Sequence, residues 1–208
     1  MLRLKSIGGI ASLVLLIITA SIAFVILFTP IYHFSVLVHD LPELLGMSHG
    51  TIARNYYALL HYLHAPWVTE LTMPDFPSSV NGAFHMWEVK ILFYINYGIL
   101  ILSAIGSVIY SRYLKRNRKL WQLERPFFIA ALVPPVFLTL LAINFDRMFV
   151  VFHQLFFNNE YWIFNPATDP IILALPQEFF MYCFLVFFLL VEGAFIFIYR
   201  YSKKNGFK

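Results

Sequence analysis

Cysteine is almost absent from this chain, and charge is scarce. One cysteine, Cys183, in 208 residues excludes an internal disulfide, a cysteine-rich zinc site and an iron–sulfur cluster of the usual kind. Only 12% of the residues are charged while 60% are hydrophobic. A soluble domain of that composition would expose large sticky patches, so the class is integral membrane protein. No HExxH pattern occurs, and neither internal repeats nor low-complexity tracts are evident. The net charge of +4 is no nucleic-acid signature, because the cations are distributed for another reason.

What is abundant is apolar runs. A helix needs roughly 20 apolar residues to cross a bilayer core. Four windows qualify: Gly8 to Phe28, Ile91 to Tyr110, Phe127 to Phe149 and Phe179 to Tyr199. Arg3, Lys5 and a faint cleavage-like Ser21-Ile22-Ala23 give the first a signal-peptide look. Its apolar run continues to Phe28, so it is expected to stay as a helix.

The cations set the expected orientation. Arg3, Lys5, Arg112, Lys115, Arg116, Arg118, Lys119, Arg125, Arg200, Lys203, Lys204 and Lys208 fall on one side, 12 of the 15 Lys and Arg. The other side has Arg54, Lys90 and Arg147 against nine acids. The positive-inside rule then puts both termini in the cytoplasm, with residues 30–90 and 150–178 facing outward as an extracellular cap. The expected fold is an all-α membrane protein of four transmembrane helices with an extracellular cap of short helices and loops, one integral membrane domain over 1–208.

Within the first outer segment, Asp40-Leu41-Pro42-Glu43 reads as a capped helix start. Thr51 to His64 places Ile52, Tyr56, Leu59, Leu60 and Leu63 at helical spacing before Pro66. Tyr56, Tyr57 and Tyr62 on that helix suit a headgroup layer.

All seven histidines fall on the outer side. His33, His39, His49, His61 and His64 read as interfacial anchors. His61 and His64, at i and i+3, lack a third ligand pattern, and no metal is expected. His85 and His153 differ. Each sits among aromatic and ionisable residues at the end of an expected span, where titratable groups are costly to place. Counted as helix, they rise roughly 39 and 42 Å from the inner loop, so antiparallel neighbours would bring both rings to similar depth. Pro134-Pro135 would shift that figure by kinking the third span. Asp146 and Arg147 read either as a mutual ion pair or as groups meeting a substrate oxygen or a histidine. Glu192, in the inner half of the fourth span, reads as a paired structural acid, and Cys183 as packing.

Phe84-His85-Met86-Trp87-Glu88-Val89-Lys90 resembles an HMxxVK motif. Phe152-His153-Gln154-Leu155-Phe156-Phe157, with Trp162, Phe164, Pro166, Asp169-Pro170, Leu175-Pro176 and Phe179-Phe180, resembles a second, longer motif. Both are similar to motifs of the lipoprotein intramolecular transacylases, called Lit, of Gram-positive bacteria. The resemblance implies transfer of the sn-2 acyl chain of a diacylglyceryl cysteine to the α-amine of the same N-terminal cysteine, giving a lyso-form lipoprotein. It implies His85 and His153 as the catalytic pair. Tyr57, Trp87, Lys90, Asp146, Arg147, Phe156, Trp162 and Asp169 are the expected substrate-binding residues. No cofactor is expected. The expected partners are a diacylated lipoprotein and membrane lipid, not nucleic acid, met by a monomer in a bacterial cell membrane at the outer leaflet. The rival readings are a lipid- or partner-binding scaffold and a lipid ester hydrolase using the same histidines.

Overall fold

The structure, a computed structural model, describes residues 2–206, with side chains from residue 5. The side chains of Arg3 and Lys208, which enter the charge pattern above, lie outside the described residues. The described chain is helical: α1 Leu2–Leu27, α2 Pro30–Val38, α3 Leu41–Leu45, α4 His49–His64, α5 Val80–Arg116, a 3-10 turn Leu120–Leu123, α6 Glu124–Ala130, α7 Val133–Ile143, α8 Phe145–Phe156, α9 Ile171–Ala174 and α10 Gln177–Asn205. Four stretches are long and apolar enough to cross a membrane: Lys5–Leu27, Val80–Arg116, Leu120–Ile143 and Gln177–Asn205. The chain divides into two compact units. A spanning unit takes the residues up to Leu27, Asn96–Ile143 and those from Phe184 onward. A histidine unit takes Phe28–Ile95 and Asn144–Cys183.

In the spanning unit, α1 and α5 run antiparallel and close together. A Cβ at Gly9 would overlap the Tyr110 ring, and one at Gly106 would crowd Ser12. Further along, Asn96 Nδ2 donates to Thr19 O at 3.2 Å. Small residues let the backbones approach where apolar burial gives no drive between lipid-solvated helices. Leu13, Tyr110, Leu114, Leu123, Phe127, Val191 and Phe195 form the unit's core.

The third apolar run departs from the expected Phe127–Phe149. α6 ends at Ala130, and α7 begins with Val133-Pro134-Pro135. Both prolines occupy the first turn, where their missing N–H groups cost no intrahelical bond. The pair starts a helix rather than kinking one. The run then stops at Ile143. Asn144, extended at φ −159, accepts from Arg147 N through its side chain at 2.9 Å and opens the separate amphipathic helix α8. His153 is therefore not on one continuous helix with Arg125, and the 42 Å rise does not apply. Glu192 also departs from expectation: its Oε2 is buried with no hydrogen-bond partner among the described residues.

The histidine unit packs α2, α4 and the start of α10 through buried aromatics, and α3 and α9 join it through Leu41, Ile171 and Ala174. Tyr32 stacks on Tyr56 with centroids 3.7 Å apart, and Phe179 meets both rings edge-on. Tyr56 and Tyr62 are thus core residues, and of the three α4 tyrosines assigned to a headgroup layer only Tyr57 is exposed. α4 begins as a helix should, with Ser48 Oγ accepting from Thr51 N. α3 does not: Asp40 sits at the N-cap in the left-handed region, φ 46, and its side chain caps nothing.

The long segment between α4 and α5 lacks helix yet is tied down. Lys90 Nζ, buried, donates to Ala65 O at 2.9 Å and Val68 O at 2.6 Å. Asp75 Oδ2 accepts from Arg54 Nη2 and from Asn55 Nδ2, each at 2.7 Å, while Asp75 N donates to Asn55 Oδ1. Hydrogen bonds from Arg54 and Asn55 hold the Asp75 carboxyl below the usual carboxylate range.

Candidate active site

His85 lies in the second turn of α5, and the start of that helix is clamped. Ser79 Oγ accepts from Gly82 N at 3.0 Å, and Ser79 N donates to Asp169 Oδ1 at 2.8 Å. Thr168 Oγ1 donates to the other Asp169 oxygen at 2.7 Å. Asp169 is buried, and any Cβ at Gly82 would overlap its carboxylate. Glycine is required there for the acid to reach the helix start.

His153 lies in the last turn of α8. Its Nδ1 is 2.7 Å from Phe149 O. A carbonyl only accepts, so Nδ1 carries the proton and the neutral ring keeps its lone pair on Nε2. Burial pushes the pKa of His153 below 6.5, against a smaller upward pull from the Phe149 carbonyl. The ring is therefore neutral at neutral pH and able to accept a proton.

The two imidazoles face each other with centroids 5.9 Å apart and planes tilted by 39°. His85 is 5% exposed and His153 9%, so bulk water reaches neither freely. Phe157 meets His85 edge-on at 4.6 Å and lies 5.8 Å from His153. Phe164 stands 5.6 Å from His85, while Phe149 and Trp162 lie 4.2 and 4.7 Å from His153. The arrangement pairs two proton-transfer groups inside an apolar aromatic wall.

The other expected site residues divide. Trp162 is in the wall, and its Nε1 donates to Asn159 O at 3.0 Å. Trp87 is exposed and packs on Phe84, and Phe156 is exposed beside Phe152. Tyr57 hydrogen-bonds His33 Nε2 at 2.7 Å. Lys90 and Asp169 spend their polar atoms on the backbone bonds already described and, for Asp169, on Thr168. Asp146 does not pair with Arg147: it accepts from Gln177 Nε2 at 2.9 Å, and Arg147 is exposed with no ion pair among the described residues. His61 and His64 hold no metal cluster; no group of three or more His, Cys, Asp or Glu is assembled among the described residues.

Phe149, Phe157 and Asn159, near the imidazoles, were given no site role from sequence, whereas Phe164 was marked both by the second motif and by its clustering with Tyr161 and Trp162. Phe149 was findable, being four residues before His153 on the same helix face. Glu88, one turn after His85, was visible in the motif but had no assigned role.

The comparisons with known proteins point to one family. The family described as lipoprotein intramolecular transacylase Lit matches residues 7–180. The fold is similar to the in meso structure of the membrane integral lipoprotein intramolecular transacylase Lit from Bacillus cereus, with a TM-score of 0.91 and 31% identity over 97% of this chain and 95% of that one. It is also similar to variants of that Bacillus cereus protein. The one with the H85R mutation gives a TM-score of 0.82 and 31% identity over 97% and 92% of the two chains. The one with the H85A mutation gives 0.84 and 30% over 98% and 92%. No curated protein matches. With its four apolar helices, the chain is a multi-pass membrane protein and belongs to the lipoprotein intramolecular transacylase family.

Proposed function

We propose that the protein moves the sn-2 acyl chain of a diacylglyceryl-modified N-terminal cysteine onto the α-amine of that same cysteine. The observation that carries this reading is the pair of buried imidazoles, 5.9 Å apart, inside an aromatic wall. Family membership supports it.

Donor ester and acceptor amine sit on one molecule, so the enzyme needs neither a nucleophile nor a cofactor. Neutralising an α-amine of pKa about 7.7–8 costs only about 1 kcal/mol at pH 7. Folding the substrate so that the amine meets the ester carbonyl is the larger task, worth up to about 7–11 kcal/mol with ideal orientation. The packed aromatics suit that task. His153, with its lone pair on Nε2, takes the amine proton as nitrogen attacks the carbonyl carbon. The C–N bond forms, the C–O bond to glycerol breaks, and His85 gives a proton to the departing oxygen. Proton transfer between the two rings resets the pair.

In this reading residues 30–90 and 150–178 form the extracellular cap, both termini are cytoplasmic, and chemistry occurs at the outer leaflet of a bacterial cell membrane. The charge pattern supports that orientation. One chain carries both histidines, so a monomer suffices. Mass spectrometry of a diacyl lipopeptide incubated with the purified protein tests the reaction. An unchanged mass with acyl now on the amine supports it. Loss of one acyl mass means hydrolysis, and an unchanged substrate means a non-catalytic scaffold. EDTA is expected to leave the rate intact, and loss of activity restored by zinc would contradict the metal-free mechanism.

A further inference from the structure

Two buried polar atoms beside the imidazole pair lack hydrogen-bond partners among the described residues: His85 Nδ1 and Glu88 Oε2. They face each other, 3.7 Å apart, one turn along α5. That separation is too long for a hydrogen bond and short enough to become one with a small ring rotation. The other carboxylate oxygen is not free to drift. Asn159 Nδ2 donates to Glu88 Oε1 at 2.8 Å across 71 residues of sequence. Asn159 is itself held, since its Oδ1 accepts from Tyr161 N at 3.0 Å. Its carbonyl accepts from Trp162 Nε1, and Trp162 stacks on His153. One asparagine therefore holds a neighbour of each imidazole: Glu88, which faces His85, and Trp162, which stacks on His153.

We propose that Glu88 is a positioning residue for His85: its Oε2 receives the Nδ1–H of that ring when the imidazole holds its transferable proton, which leaves Nε2–H directed at the substrate. Unpaired buried polar atoms are costly, and such a cost is relieved when the pair closes in the protonated state. The proton given to the glyceryl oxygen leaves from Nε2, and the ring remains bonded to Glu88 through Nδ1–H. No proton is lost to the carboxylate. The titratable groups meeting the His85 ring are Glu88 on its own helix and His153 on α8. The segment after α8 contributes Phe157 and Phe164, which carry no charge. This assignment rests on the transacylase reading above.

The test uses the full-length protein in detergent with a diacyl lipopeptide. Rate against pH is measured for the unaltered protein, Glu88→Gln, Glu88→Asp and Asn159→Ala. Glu88→Gln is expected to lower kcat by 10- to 100-fold with KM within twofold. It also moves one limb of the kcat profile to lower pH, because removing a carboxylate beside an imidazolium favours the neutral ring. Glu88→Asp, which keeps the charge, is expected to recover part of kcat and the original limb. Asn159→Ala, which frees Oε1 without removing charge, lowers kcat less than Glu88→Gln does. Should Glu88→Gln fail to fold, Asn159→Ala and Glu88→Asp decide: unaltered kcat and profile in both overturn the proposal. An unaltered kcat and pH profile in a folded Glu88→Gln overturns it directly. No turnover by the unaltered protein overturns the transacylase reading instead, and this assignment with it.

Discussion

The spanning unit and the histidine unit bury polar groups in opposite ways. In the spanning unit the buried hydroxyls of Thr19, Ser103 and Ser202 donate to carbonyls of their own helices, Asn96 reaches a Thr19 carbonyl, and Gly9 and Gly106 clear space for a neighbouring helix. Its polarity holds backbones together. In the histidine unit, Asn55, Lys90 and Asp169 are each buried and each secure a backbone segment that has no helix of its own to rely on. Those anchors free His85 and His153 from structural duty at one ring atom each. The lesson is that the reactive groups are affordable because neighbouring polar residues satisfy the loops around them.

The sharpest way to break this comparison is to remove the imidazoles. His85→Ala and His153→Ala are each expected to lower kcat by about 10²–10⁴-fold, the usual share of positioned acid–base groups, with little change in melting temperature. Full activity in either folded variant would remove that residue from the mechanism.

A second test compares glycines of the two units. Gly82→Ala drives a methyl into the Asp169 carboxylate, and Gly9→Ala drives one into the Tyr110 ring. Each overpacking costs about 1–3 kcal/mol. Gly82→Ala is expected also to lower kcat, because it displaces the start of the helix that carries His85. Gly9→Ala is expected to lower thermal stability with kcat nearly intact. Equal losses of kcat in both would erase the distinction between the units.

Acidity gives a smaller effect. His153 has a folded pKa below 6.5, so its neutral form is favoured by folding, and stability falls as pH drops below 6.5 toward the folded value. With rising pH, deprotonation of the substrate amine raises the rate and loss of the transferable His85 proton lowers it, so a bell-shaped profile is expected. An acid limb from the enzyme above 6.5 would contradict a neutral His153. Smaller again is Asp75→Asn. The Asp75 pKa is depressed, so its contribution is present above 3.8 and fades as pH falls through the folded value. Acid unfolding of the variant should lose that component, with activity at pH 7 almost unaltered. The Arg54–Asp75 pair is partly exposed, which keeps the effect small.

Much of this was legible beforehand, and the exceptions have physical reasons. The four apolar stretches announced themselves by length, and His85 and His153 by their motifs. The third stretch was misjudged at both ends: it begins at Leu120 in a 3-10 turn and stops at Ile143, where Asn144 starts a new helix inside the apolar run. Tyr56 and Tyr62 were assigned to an interface because composition alone does not separate an amphipathic tyrosine from a stacked core one. The Asn159–Glu88 bond joins a loop to a helix across 71 positions and leaves no periodic trace. Asp169 was marked by its motif, but its task of holding Ser79 becomes visible only when residues 90 apart meet.

The most direct measurement mixes two diacyl lipopeptides of different peptide mass, one bearing an isotope-labelled sn-2 acyl chain, and follows the label by mass spectrometry. The account predicts that labelled acyl moves to the amine of its own parent peptide and nowhere else. Label on the other peptide, or released as free fatty acid, would contradict it.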